Sequence, residues 1–471
     1  MAEICFGYAV IGLAYLCAAS RILSYTTVIY GSRAYSATSM ASSMDTTKSP
    51  KFGKEFGEKY FMFKPDFIHL NQGSYGGYPR PVRDALRSVQ DAVQAEPDNF
   101  VRYIYPAKLD EARELIASHL HAADRDEIVL VPNATTALNT VLRNLTYQPG
   151  DMIAYIQRTY GAIEKTIDYL VETTTVDSIR VPFDPIVDDD DTLVEAFQSV
   201  LQENHGRIRV AIFDTVMSMP GLRIPFERLT KICRDFGVLS AIDGAHGIGL
   251  IDLNMERLGA DFFTTNCHKW LFVPHTCAVF YVALKNQHLM RSSIPTSHGF
   301  QPLPEILEKK QYISPYELPA SKNPFVFQFS YTGTIDNGPP LCIPAALRFR
   351  QEICGGEEAI RVYCQMLARE GEKLAVDILQ SRPLSIPETK RTAFANVRLP
   401  LEIASSVVKE NGHSVPLSDD YSTFVNIAFI SGSLWARFSA QVYLEIKDFE
   451  YGAKALKELC DKVVKKEYIE L

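Results

Sequence analysis

The sequence predicts an α/β fold in which a large domain with a mainly parallel sheet precedes a smaller C-terminal α/β domain. From about residue 55, short continuous apolar runs alternate with segments whose apolar positions recur at helical spacing. That is the pattern of a sheet covered by helices on both faces. Polar residues gather where the runs end, the place at which open parallel sheets bind ligands. The composition, 471 residues with 46% hydrophobic and 22% charged, suits a soluble globular chain with two sizeable cores.

Taken in order, RPVRDALRSVQDAVQ (80–94) and KLDEARELIASHL (108–120) carry the helical spacing, and EIVLVPNATTALNTVLRNL (127–145) predicts strand, turn and helix. Further apolar runs are expected as strands: MIAYI (152–156), SIRVPF (178–183), RVAIFD (209–214), GVLSAID (237–243), DFFTTN (261–266) and CAVFYV (277–282). Helices such as FERLTKICRDF (226–236) separate several of them. A proline-containing irregular stretch at 297–325 leads to a helical region near 340–380. The tail alternates again, with TAFANVRLP (392–400) and TFVNIAFI (423–430) as strands and DFEYGAKALKELCDKVVKK (448–466) as the closing helix. The expected division is an extension over 1–50, a large domain over 51–344 and a small domain over 345–471.

The first fifty residues differ in character. CFGYAVIGLAYLCAA (5–19) is apolar but short for a bilayer span, and residues 20–43 are rich in serine and tyrosine without an acid. Glu3 speaks against a secretory signal. Arg21 and Arg33 in an acid-free stretch fit a mitochondrial presequence, and an unstructured extension fits as well. No stable membrane span is expected. The nine cysteines are scattered, with no CxxC pair and no zinc-ligand spacing, which points to a reducing compartment, cytoplasmic unless the extension is a presequence, and to no metal site. The formal charge is 48 − 56 = −8, with no basic run interleaved with aromatics, so nucleic acid is not an expected partner.

Three strand ends carry candidate chemistry. VPNATTALNTV leaves a strand and enters a helix, where free N–H groups and the hydroxyls of Thr135 and Thr136 can hold a phosphate; an ordinary helix cap would use the same residues. Asp243, at the end of GVLSAID, is either a turn-forming acid or the carboxylate that keeps a pyridine nitrogen protonated, as a pyridoxal ring requires to act as an electron sink. Lys269, in TTNCHKWLFVP (264–274), follows the next strand. Either it is a surface lysine, or, desolvated beside a cationic ring, it is neutral enough to form a Schiff base and carry the α-proton.

These residues stand within a longer series: HLNQGSYGGYP (69–79), NATTALNTVLRN (133–144), TYGAIEKTIDY (159–169), MSMPGLRIPF (217–226), DGAHGIG (243–249), NCHKWLF (266–272), RSSIPTSHGF (291–300), YTGTIDN (331–337) and WARFSAQVYLEIKDFE (435–450). In this order they resemble the fold-type I, class V pyridoxal-phosphate enzymes, in the isopenicillin N epimerase-like branch. Within it the chain is most similar to the fungal hercynylcysteine sulfoxide lyases of ergothioneine biosynthesis.

The resemblance implies pyridoxal 5′-phosphate as cofactor, with Lys269 as its Schiff-base lysine and Asp243 at the ring nitrogen. It puts Thr135, Thr136, Asn266 and His268 near the phosphate, Tyr160 over the ring face, and Ser218 and His246 near the ring oxygen. His246 stands where related enzymes often have glutamine. Thr334 is implied to reach the phosphate of a neighbouring subunit, hence a homodimer with shared sites. Arg437 is implied to clamp the substrate α-carboxylate, with Asn71, Ser74 and Tyr75 beside it. Gln72 departs from the histidine of the lyases. The reaction implied is β-elimination from a cysteine-derived sulfoxide, giving pyruvate and ammonia, with Tyr160 a proton donor to the leaving group. An epimerase, a cysteine desulfhydrase or an aminotransferase-like enzyme would share the cofactor residues, whereas a cysteine desulfurase needs a reactive loop cysteine. The aromatics Tyr75, Tyr78, Phe100, Tyr103, Tyr105 and Phe300 are candidates for an entrance that recognises a flat or cationic substituent, or for ordinary core.

Overall fold

Seven runs pair into one sheet, whose strands are buried by the helical segments that flank them except at the edge run Asp177–Val181, which stays largely unburied. The strands are β1 (Ile128–Val131), β2 (Met152–Ile156), β3 (Asp177–Val181), β4 (Ile208–Asp214), β5 (Leu239–Asp243), β6 (Phe262–Asn266) and β7 (Ala278–Val282). Their order is β1-β7-β6-β5-β4-β2-β3, with β7 antiparallel to both neighbours and the other pairs parallel. This computed structural model describes residues 51–307, 318–319, 321–401 and 421–465. The extension over 1–50 and part of the 297–325 stretch lie outside the described residues.

Alternate strand residues enter two different cores, as a period of two demands. Met152, Ala154 and Ile156 join one cluster with Leu109 and Ile116, whereas Ile153 and Tyr155 join another with Leu138 and Ile167. A third cluster gathers the C-terminal elements: strands β8 (Phe394–Arg398), β9 (Asn426–Ile430) and β10 (Ser433–Ser439), which form an antiparallel sheet in the order β8-β10-β9, and the helices Glu357–Leu379 and Ile446–Val464. Phe56, Phe61 and Leu70 belong to this third cluster, so the segment before residue 71 packs with the C-terminal elements. Gly53 donates its N–H to the Val442 carbonyl at 2.9 Å, and Ile68 bridges Thr423.

Strand β10 is absent from the sequence-based expectation. Its SLWARFS run breaks apolar continuity with serines and a charge, yet Arg437 within it is 1% exposed. Among the described residues no helix is long and apolar enough to cross a membrane, and no group of histidine, cysteine and acidic residues has the arrangement of a metal site.

Candidate active site

Strands β4, β5 and β6 end side by side, and their last residues open into one cavity of about 390 Å³. Asp214 and Asp243 are register partners on parallel strands, so their side chains point to the same side of the sheet. Both are buried. The Ala245 N–H donates to Asp243 Oδ1 at 2.9 Å, the hydrogen bond expected of a fixed carboxylate. Burial raises the pKa of both acids, and carries that of Asp214 well above the ordinary range with the negative charge of Asp243 adding to it. Asp214 is a cavity residue that the sequence reading did not single out, although it ends the run RVAIFD as Asp243 ends GVLSAID.

Lys269 sits on the short helical turn Cys267–Trp270 that follows β6. Loss of water brings its pKa down from 10.5 to about 8, with Arg437 acting in the same direction and Asp243 and Asp214 opposing. Its Nζ lies 3.3 Å from His246 Nε2. The Trp270 indole donates to His246 Nδ1 at 3.2 Å; since indole is only a donor, the neutral imidazole carries its proton on Nε2, facing Lys269. Burial, Lys269 and Arg437 hold His246 neutral.

The turn before Ala134–Asn144 is fixed from two sides. Asn133 caps the helix through the Thr136 N–H at 2.8 Å, and Asn266 Oδ1 accepts the Ala134 N–H at 3.0 Å, tying this turn to the end of β6. Thr135 lines the cavity with Tyr160, Ser218, His268, Ser74 and Tyr75. Thr136 does not: its hydroxyl meets Asn133 Oδ1, and it lines a neighbouring cavity with Ser292 and Thr296. Thr334 is also absent from the cavity, and its hydroxyl meets Tyr331 Oη at 2.9 Å.

Arg437 and Asn71 stand one layer behind the cavity wall. Arg437 Nη2 donates to Asn71 Oδ1 and to Ser74 Oγ, each at 3.2 Å, and Nη1 donates to the Ser218 carbonyl. Its face stacks on Phe394 at 4.4 Å, while its buried Nε has no partner. No carboxylate pairs with it among the described residues, and burial lowers its pKa to about 9. Gln72 is fully buried outside the cavity: Nε2 donates to the Lys269 carbonyl at 2.5 Å, and Oε1 accepts from Tyr443 Oη at 2.8 Å. Its difference from histidine therefore bears on the lysine turn rather than on a cavity wall. The aromatic candidates divide. Phe100 and Tyr105 are core, Tyr103 and Tyr105 border a separate cavity with Tyr331, and of the six only Tyr75 lines the cavity of Lys269.

These residues fit a pyridoxal phosphate. A reactive lysine and a fixed carboxylate face one cavity beside a helix start, and His268, which lines it, keeps a buried Nδ1 without a partner. The chain matches the aminotransferase class-V family over residues 100–302. It is 38% identical to the L-cysteine desulfhydrase-like protein lolT2 of Epichloe uncinata, over 89% of this chain and 96% of that one. It is 31% identical to the hercynylcysteine sulfoxide lyase of Schizosaccharomyces pombe, over 87% and 98%. Among solved structures, the apo cysteine desulfurase of Thermococcus onnurineus NA1 superposes with a TM-score of 0.66 at 18% identity, over 88% of this chain and all of that one.

Proposed function

Because the chain belongs to the aminotransferase class-V family and pyridoxal 5′-phosphate is its cofactor, we propose that it is a carbon–sulfur lyase acting on a cysteine-derived sulfoxide, that of hercynylcysteine. Arg437 carries the amino-acid part of the reading: a buried guanidinium with an unpaired Nε and no carboxylate partner among the described residues lacks the anion that an α-carboxylate supplies. The cofactor supplies an electron sink for charge developing at Cα. Lys269, whose pKa of about 8 leaves part of it neutral near physiological pH, takes the α-proton as the bond from Cβ to sulfur breaks. Asp243 holds the proton of the ring nitrogen. Tyr160, half-exposed at the cavity mouth, donates a proton to the departing sulfur group. A sulfenate leaves more readily than a thiolate, which favours the sulfoxide and the release of pyruvate and ammonia.

Cys277, Cys342, Cys354 and Cys364 are buried, with thiol pKa values pushed up, so none offers the reactive thiolate of a desulfurase. The reading includes a reducing, cytoplasmic setting and a homodimer in which Thr334, away from its own cavity, completes the neighbour's. A second reading, desulfhydration of plain L-cysteine, is favoured by the 38% likeness to a desulfhydrase-like protein. Pyruvate release by the holoenzyme separates the two: the sulfoxide is expected to give a kcat/KM about 10²-fold above L-cysteine. Equal efficiencies support the second reading, and a D-amino acid formed without pyruvate overturns both.

A further inference from the structure

The short helical turn Gln72–Tyr75 touches both ends of the site through different faces. Asn71 and Ser74, three residues apart and so on one side, accept from Arg437 Nη2 at 3.2 Å each, and Ser74 Oγ donates to Asn71 Oδ1 at 2.8 Å. Gln72 and Tyr75 share the other side. Gln72 Nε2 donates to the Lys269 carbonyl at 2.5 Å, and the Tyr75 carbonyl accepts from His275 Nε2 at 2.7 Å. Behind Gln72, Tyr443 Oη fixes its amide at 2.8 Å. Gly76, with φ 74°, closes the bracket: a Cβ there would lie 1.8 Å from the His268 carbonyl oxygen, so only glycine lets the two backbones meet.

We propose that Gln72 is a positioning residue for Lys269, and that the turn Asn71–Tyr75 transmits carboxylate binding at Arg437 to the lysine. This rests on the reading of Arg437 as the carboxylate site. Arg437 already gives both N–H groups of Nη2 to Asn71 and Ser74, and its Nε has no partner. A carboxylate that takes two parallel N–H groups of the guanidinium, as its geometry favours, must draw one Nη2 N–H away from Asn71 or Ser74. The turn then loses one of its two attachments on the arginine side and keeps the one on the lysine side. Because Gln72 is held by Tyr443 and buried completely, a shift of the turn moves the Lys269 carbonyl with it. Lysine geometry thus answers to an occupied carboxylate site before any reaction begins, a use of binding free energy in orientation.

Hydrogen exchange of the holoenzyme with and without propanoate tests this, since propanoate offers a carboxylate but no amine. In the wild type, propanoate is expected to change exchange several-fold in both segments 71–77 and 266–273. In Gln72→Leu the response of 71–77 persists and that of 266–273 disappears. Tyr443→Phe, which leaves Gln72 in place, weakens the second response and serves if the leucine variant does not fold. Gln72→Leu also lowers kcat about tenfold with KM little changed, as expected for lost orientation rather than lost binding. A wild-type response confined to 71–77, or one at 266–273 that survives in Gln72→Leu, overturns the coupling and leaves the carboxylate site standing. No response in either segment removes the carboxylate site and the coupling together.

Discussion

Lys269 and Arg437 are both cations held out of water, yet their surroundings are built in opposite ways. Lys269 faces two acids, Asp243 and Asp214, and its pKa settles near 8 as their charge offsets part of the burial. Arg437 faces carbonyl, amide and hydroxyl oxygens and an aromatic ring, with no acid among the described residues, and burial brings it to about 9. The lysine end is electrically complete without a substrate. The arginine end is one anion short. A single fold thus holds a poised nucleophile and base at one end and an unmet charge at the other, and the two differ in what a substitution should disturb.

The sharpest break of this contrast lies in the acids. Asp243→Asn is expected to keep the fold and to lower turnover about 10²- to 10³-fold, since it removes a preorganised charge from beneath the reacting group. Asp214→Asn replaces a carboxyl whose charged form burial and the neighbouring Asp243 disfavour with a neutral amide, so its turnover should fall less than about tenfold. Borohydride fixation of the cofactor to Lys269, read by peptide mapping, should survive in both. Equal losses in the two variants would mean that the acids act as a single charge, and the lysine end would lose its asymmetry.

At the other end the effect should be smaller and fall on KM. Arg437→Lys keeps a positive charge but forfeits the planar fork, and one lost charge-assisted hydrogen bond of about 1.5–3 kcal/mol raises KM roughly 10- to 100-fold. A lysine in a pocket that already lowers an arginine to about 9 would shed its proton more readily still. The defect should therefore deepen as pH rises from 7 to 9, which steady-state kinetics on the amino-acid substrate can follow. A pH-independent KM in the lysine variant would show that the pocket does not discriminate against an unpaired cation.

How much of this was legible follows from the kind of contact involved. Buried parallel strands appear as unbroken apolar runs, so the runs that became β2, β4, β5 and β6 located their own ends, and with them Asp243 and Asn266. Asp214 occupies an equivalent end but was passed over, because only the register Asp214↔Asp243 distinguishes it from a turn-forming acid. Tyr443 and Gln72 are far apart in the chain, and no periodicity announces their bond. The aromatic stretch 100–105 stayed open between entrance and core for a local reason: Phe100–Ile104 is a π-helix, whose turn sends Phe100 and Tyr105 into the core and leaves Tyr103 exposed. The strand β10 hid behind its serines, since the burial of Arg437 is a fact of tertiary structure.

The smallest effect concerns stability on the arginine side, two residues before Asn71. His69 lies among the rings of Phe63, Phe67 and Tyr443, at centroid distances of 5.0, 5.9 and 6.0 Å, and neither ring nitrogen makes a well-formed hydrogen bond. Burial lowers its pKa from 6.5 to about 4, with the Gly76 backbone opposing. Above pH 6.5 the imidazole is neutral whether the chain is folded or not, so the fold is unaffected. As pH falls from 6.5 towards 4, the unfolded chain takes up a proton that the folded one refuses, and stability declines through that window. The linkage amounts to about 2 kcal/mol between pH 7 and pH 5. Urea unfolding at those two values should show that loss in the wild type and a markedly smaller one in His69→Phe, which keeps the aromatic packing and removes the titration. Identical slopes in the wild type and His69→Phe would place the acid sensitivity elsewhere, and the arginine side would then owe its unmet charge to Arg437 alone.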